Sequence, residues 1–337
     1  MSASNPDGDT AGRLLVRLRE CAGRFVSGSR LGAELGISRT AVWKHVHALQ
    51  GEGYGIESTP HKGYRLVHPP HDLSAREVVA SLAGNWLGRP LLLLEETDST
   101  NRVAMHDRAL GHGAVVAARR QLAGRGRLGR VWRTPPGTLA FSLVLSTPLP
   151  PQRATLITLA AALGVADGVR AACGLELDIK WPNDLLWQGR KVAGILTEVR
   201  SDPDRVVRAV VGIGLNANTA QDDLPPEVRG RAGSLAQAVG RAVPPSALLA
   251  RVLDALAATF DALFADPAGR AVDALLDDYR ARCVTLGQPV TVTGHDGVAR
   301  GTALAVDADG SLRVRQADGA EMRVFSGDVT LSGEAVG

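Results

Sequence analysis

Gln121-Leu-Ala-Gly-Arg-Gly-Arg-Leu-Gly-Arg130 decides how this chain is read. Three glycines punctuate three arginines directly after Ala114 to Arg120, an apolar run that reads as a strand. Gly124, Gly126 and Gly129 match G-x-G-x-x-G, but a dinucleotide site needs a helix straight after the loop and an acid about 20 residues on. Val131-Trp-Arg-Thr-Pro-Pro-Gly137 cannot start that helix, and no Asp or Glu stands between Asp107 and Asp167. What remains is a flexible, acid-free cationic loop. Its glycines let backbone N–H groups approach an anion, and guanidinium forks grip carboxylate or phosphate oxygens at two points. A solvated arginine run is the alternative, and the loop by itself does not choose between them.

Four further segments bear on that choice. Glu95-Glu-Thr-Asp-Ser-Thr-Asn101 ends a strand and opens a helix, so Ser99, Thr100 and the first-turn amides make a polar, anion-accepting corner. Lys180-Trp-Pro-Asn-Asp-Leu185 ends another strand at a proline, and Lys191-Val-Ala-Gly-Ile-Leu196 brings a lysine onto the next strand beside small residues. Gly212-Ile-Gly-Leu-Asn216 closes a further strand. Asp184 is a candidate base or orienter, while an aspartate after Pro-Asn is equally an ordinary turn residue. Both readings stand.

The framework around these segments is that of a multidomain chain of 337 residues, 45% apolar and 22% charged. Strands are predicted over 91–95, 114–120, 138–146, 175–181, 185–187, 191–199 and 206–213. Helices are expected over 101–109, 154–172, 246–265 and 271–282, giving an α+β domain with a mixed sheet covered by helices. From Val284 to Ser332 short strands recur with Gly-rich turns such as Gly294-His-Asp-Gly297, a small all-β cap of barrel type. The expected divisions are a disordered tail over 1–10, a head over 11–66, a proline-stiffened linker over 67–73, a central domain over 74–283 and the cap over 284–337. Ser74 and Glu77 form a capping box that opens the central domain. The longest apolar stretch, Ala154 to Ala166, is too short for a bilayer, so no membrane partner is expected. Without a secretory leader, and with Cys21, Cys173 and Cys283 odd in number and scattered, the expected compartment is the reducing cytoplasm.

Residues 1–66 hold 9 Lys/Arg against 6 Asp/Glu, an excess of 9 − 6 = 3 that equals the whole-chain charge of +3. A polyanion partner at the head follows. Gly28 to Leu49 fits a helix-turn-helix, with Gly36 as the break, Ser38 as N-cap, and Val42, Val46 and Leu49 inward. The opposite face carries Arg39, Thr40, Trp43, Lys44 and His47, placed for phosphates and base edges in a major groove. A hairpin around Pro60-His-Lys-Gly63 resembles a wing. A protein-interaction module uses the same trihelical shape, but the cationic face favours DNA. His45, His47, His61, His68 and His71 are not read as ligands, since no cysteine accompanies them at zinc spacing.

In this order and spacing, the segments closely resemble the biotin protein ligase and biotin operon repressor family, from about Ala11 to Ser332. The resemblance implies a winged helix-turn-helix, a biotin/lipoate ligase-like sheet domain and an SH3-like C-terminal barrel. It also implies biotin and ATP as substrates with Mg²⁺, and biotin carboxyl carrier protein, operator DNA and a ligand-promoted homodimer as partners. It places Ser99, Thr100, Asn101, Gln121, Arg125, Gly126, Arg127 and Lys191 around biotin. It places Arg125, Arg127, Trp132, Lys180, Asn183, Asp184 and Asn216 around the nucleotide, with Trp132 stacked near adenine. Lys191, Arg125, Arg127 and Asp184 are the implied catalytic groups; the metal ligands and the adenine contacts within 217–231 stay unassigned. A lipoate-type ligase and a ligand-responsive repressor without transferase activity are the alternatives.

Overall fold

The computed structural model describes residues 10–147, 149–266, 269–294, 297–325 and 327–331. The tail expected over 1–10, apart from Thr10, the centre of the 294–297 turn and the end of the cap from 332 lie outside the described residues. Contacts divide the chain into one unit of residues 1–81 with 244–247, and a second of 82–243 with 248–337.

In the first unit, α1 (Thr10–Glu20), α2 (Gly28–Leu35) and α3 (Arg39–Gly51) close over Leu14, Leu18, Leu31, Val42, Val46 and Leu49. Ser27 accepts from Arg30 N and Ser38 from Ala41 N, so each helix of the pair starts on a side-chain cap. Gly36 at φ +71° ends α2 in the left-handed region, which turns the chain sharply into α3. The wing is the antiparallel pair β1 (Gly55–Thr59) and β2 (Gly63–His68), followed by α4 (Ala75–Ser81).

The capping box forms by half. Ser74 Oγ accepts from Glu77 N at 3.4 Å, but the Ser74 amide donates to Ser246 Oγ, and the Glu77 carboxylate turns inward to the Tyr54 hydroxyl and Arg19. A buried anion with a charged and a neutral donor outweighs a local cap worth about 1 kcal/mol. The helix expected to open the central domain therefore packs with the head. Burial, with the adjacent Glu77 charge, pushes the Tyr54 phenol far above its ordinary value.

The second unit is built on β3 (Leu91–Thr97), α5 (Thr100–His106), β4 (Val115–Gln121), β5 (Thr138–Leu145), α6 (Thr155–Cys173), β6 (Asp178–Lys180), β7 (Asp184–Trp187), β8 (Arg190–Ser201) and β9 (Val206–Asn216). The seven strands run in the order β3-β4-β5-β9-β8-β7-β6; β3 and β4 are parallel and the other neighbours antiparallel, so the expected mixed sheet is present. After α7 (Leu235–Val239) come α8 (Pro245–Ala265), whose first turn belongs to the first unit, and α9 (Arg270–Arg282). The cap is β10 (Pro289–Gly294), β11 (Gly297–Val306), β12 (Leu312–Arg315), β13 (Glu321–Val324) and β14 (Asp328–Leu331), antiparallel in the order β13-β12-β11-β10-β14.

The stretch 151–173 is longer than the apolar run read from sequence and reaches bilayer length by composition. Within this fold it is the central core helix. Gly164 and Gly168, one turn apart, bring α6 against the backbone of α8, where an added Cβ would overlap Leu256 and Val252.

Candidate functional site

One face of the β8–β9 sheet floors a cavity of about 590 Å³, within the usual size of a small-molecule site. Its floor is low because Gly194 and Gly214 leave room for the Trp132 indole, which lies flat on them; a Cβ at Gly214 would overlap the ring. The Trp132 Nε1–H is buried without a hydrogen-bond partner among the described residues, an unmet donor inside the cavity.

The first wall is the turn from β3 into α5. Ser99, Thr100 and Asn101 are all buried there, and one polar chain connects them to the sheet. Gln121 Oε1 accepts from the Thr100 amide at 2.8 Å and lies 3.1 Å from its hydroxyl. Ser142, fully buried on β5, sits 2.7 Å from Thr100 Oγ1 and 2.6 Å from Asn101 Oδ1. Asn101 Nδ2 donates to Glu198 Oε2 at 2.8 Å. The first-turn amide of Thr100 is thus spent on Gln121, and Ser99 makes no side-chain cap. Of the polar corner expected from Ser99, Thr100 and the first-turn amides, the side-chain amides and hydroxyls are in place, and the Thr100 amide is engaged by Gln121.

The second wall is the glycine-arginine loop, whose backbone is paired with itself. Gly126 N donates to Arg130 O at 2.7 Å, Trp132 N to Gly124 O at 2.9 Å, and Arg125 bridges Val131, so the loop is a closed hairpin turned at Leu128 and Gly129, both at positive φ. Two arginines pin it across the cavity. Arg125 lies 3.3 Å from Glu198, and Arg127 Nη1 donates to Asn183 Oδ1 at 3.2 Å.

The far end is the turn between β6 and β7. Tyr279 donates to Pro182 O, Trp181 Nε1 to Gly310 O and Trp181 N to Thr285 Oγ1, so α9 and the start of the cap brace it from behind. Complete burial pushes the Tyr279 phenol well above its ordinary value, so it stays a neutral donor. In front, Asp184 Oδ1 meets Lys191 Nζ at 2.6 Å, and the ammonium stands 5.6 Å from the Trp132 ring centroid. Lys191 donates its amide to Arg231 O and accepts from Gly233 N, while Asn216 Nδ2 donates to Gly233 O; together they seat the 217–233 segment on the sheet. Leu224, Val228 and Arg231 of that segment line the cavity.

All the ligand-site residues expected from sequence therefore line one cavity: Ser99, Thr100, Asn101, Gln121, Arg125, Gly126, Arg127, Trp132, Lys180, Asn183, Asp184, Lys191 and Asn216. Ser142 and Glu198 were missed. Ser142 has apolar neighbours on both sides in its predicted strand and Glu198 is the one acid of its own, the faint signals the sequence offers for them.

In the first unit, Arg39, Thr40, Trp43, Lys44 and His47 are exposed on one face of α3, with Trp43 edge-on to His47 at 4.3 Å. Gly63 at φ +101° lets the wing hairpin approach the Val26 backbone, to which Tyr64 is paired.

Three family descriptions match in succession: an HTH domain over 13–65, the Biotin/lipoate A/B protein ligase family over 93–216, and the Biotin protein ligase C terminal domain over 285–332. The chain is 35% identical to the bifunctional ligase/repressor BirA of Bacillus subtilis, over 94% of this chain and 97% of that protein. It is 34% identical to a biotin--[acetyl-CoA-carboxylase] ligase of Mycobacterium tuberculosis, over 79% and 97%. Among solved structures it is similar to a biotin protein ligase from Aquifex aeolicus in complex with biotin and ATP, at TM-score 0.59 and 27% identity, over 72% of this chain and 97% of that one.

Proposed function

This chain belongs to the biotin protein ligase family in its bifunctional ligase/repressor form, and from that membership we propose what its cavity does: it joins biotin to AMP and then to a protein lysine. The observation that carries the reading is the convergence of Arg125, Arg127 and Lys191 over a glycine floor beside the Thr100–Gln121–Asn101 network. A carboxylate with a neutral polar head and an apolar body fits that division.

In the first step a biotin carboxylate oxygen attacks the α-phosphorus of ATP, the bond to the β-phosphate oxygen breaks, and pyrophosphate leaves. Bringing two anions together requires fixed positive charge, which Arg125, Arg127 and Lys191 supply. Lys191 is held ready by Asp184 and exchanges that partner for the reacting phosphate. In the second step a neutral lysine amine of the acceptor attacks the acyl carbon, AMP departs with the bonding pair, and the amine proton is lost. Asp184 is positioned to orient that amine.

Asp184 and Glu227 are the carboxylates lining the cavity, and no cluster of three His, Cys, Asp or Glu side chains that could hold a metal exists among the described residues. That sparse donor set fits Mg²⁺, which Asp184 and Asn183 would help to hold and which would supply positive charge against the triphosphate.

The head reads operator DNA through α3, and the acceptor is a biotin carboxyl carrier domain of the acetyl-CoA carboxylase type. A single winged helix reads a short half-site, so we infer a homodimer promoted by biotinyl-adenylate. Unchanged monomer sedimentation with adenylate, well above micromolar, removes the dimer. ATP and DNA together call for the cytoplasm. The test of the whole reading is incubation with ATP, magnesium, biotin and a carrier domain: the carrier gains the mass of one biotinyl group, and no gain rejects it.

A further inference from the structure

Glu198 is a carboxylate behind the cavity that neither step above employs. It stands on β8, its side chain about one quarter exposed, and joins two walls: Oε2 accepts from Asn101 Nδ2 at 2.8 Å and Oε1 lies 3.3 Å from Arg125 Nη1. Both groups that face Asn101 Nδ2, this carboxylate and Leu196 O at 3.2 Å, can only accept. The Asn101 amide is therefore fixed with its oxygen toward Ser142. Ser142 has one hydroxyl proton, and the acceptor-only Asn101 oxygen takes it, which leaves Ser142 to accept from the Thr100 hydroxyl at 2.7 Å; the Gln121 amide is set separately, its Oε1 accepting from the Thr100 amide. One anion sets the donor and acceptor polarity of Asn101, Ser142 and Thr100.

We propose that Glu198 is a positioning residue with two linked roles: it orients the Asn101–Ser142–Thr100 chain, and it is the internal counter-anion that keeps the Arg125 loop closed before substrate arrives. Once the ligand's own carboxylate and phosphate occupy the cavity, Arg125 has a second anion to grip and the loop no longer depends on Glu198. The inference rests on the ligase reading for the identity of that ligand.

The experiment compares wild type with Glu198→Gln, which keeps the shape and removes the charge. Hydrogen exchange of the peptide spanning 121–132 is followed without ligand and with biotin, ATP and magnesium. In the free variant, exchange of this peptide is about three- to fivefold faster than in wild type, the size expected of a half-exposed ion pair, and with ligand the two match. KM for biotin rises about five- to tenfold while kcat stays within about twofold, because saturating ligand restores the closed loop. Equal exchange in the free proteins, or an unchanged KM, overturns the proposal, as does a fall in kcat alone. Should the variant not fold, wild type answers the same question. Raising salt from about 0.05 to about 0.5 M must loosen the free loop and leave the liganded one protected, and a free loop indifferent to salt overturns it. Failure of the ligase reading looks different, since wild type itself then shows no ligand protection and no pyrophosphate exchange.

Discussion

The two cationic surfaces of this protein are built on opposite principles. In the cavity, Arg125 and Arg127 each already hold an internal partner, Glu198 and Asn183, and sit over a floor shaped by glycine. On α3, Arg39 and Lys44 project from a convex, exposed face that also carries Trp43 and His47. A concave site with its counter-ions built in selects one small anion of fixed shape, because a ligand must offer more than the partner it displaces. A convex face in water gains mainly from releasing counterions along a polyanion, so its binding is strong only at low salt. The same residue types thus give selectivity in one place and reach in the other, and the difference lies in curvature and pairing.

The contrast breaks most visibly at Lys191. Lys191→Ala is expected to lower ATP–pyrophosphate exchange by about a hundredfold or more, the scale of removing one charge from a preorganised site, while leaving the unfolding temperature near wild type. Exchange at the wild-type rate would mean that the cavity, like the helix face, works by diffuse charge. Gly214→Ala tests the shaped floor: its methyl group displaces the Trp132 ring, and adenylate formation should fall about tenfold with little change in folding. An unaffected rate would show that the indole is not part of the site.

On the convex side, Lys44→Ala should weaken operator binding several-fold with a salt slope shallower by about 1, whereas Arg39→Ala should relax base preference at one position. Gel shifts across a salt series separate the two outcomes; salt-independent loss at Lys44 would make the head a shaped site as well. The smallest effect concerns a histidine outside both surfaces. His112 stacks on Trp86 and accepts from Ser146 N on Nδ1; burial holds its pKa below the ordinary 6.5, with Asp261 opposing. The neutral form is therefore the one that folds. Its contribution is present above the unfolded value and is lost as pH falls through the folded one. The unfolding temperature of wild type should drop between pH 7 and 5 by about 1 °C more than that of His112→Gln, and parallel curves would remove His112 from the balance.

How much of this was legible in the sequence depended on how local the signal was. The loop over 121–130 and the turn over 180–185 stand out because their composition breaks sharply from the strands around them, and the two helices over 28–49 announce themselves by cap and period. Ser142 and Glu198 do not: each earns its role from a partner 41 or 97 residues away, Asn101 in both cases. Only the sheet order, which sets β5 and β8 on either side of β9, brings those partners together. The loop hydrogen bonds and the positive φ of Leu128 were not legible either, since a glycine-rich composition does not disclose which backbone groups will pair. The Ser74 and Glu77 pattern was read correctly as a helix start and misread as to where its carboxylate would go.

That last carboxylate decides where the chain can be divided. A fragment starting at Asp72, the obvious cut after the double proline, carries Glu77 away from Tyr54 and Arg19 and leaves a side chain made for burial facing water, with apolar Val78 and Val79 beside it. A fragment starting at Leu82 leaves that triad whole on the other piece and costs Ser246 two hydrogen bonds, one from the Ser74 amide and one to Asp72 O. Inactivity of the first fragment would therefore report a misplaced scissor rather than a debt of the enzyme to its head.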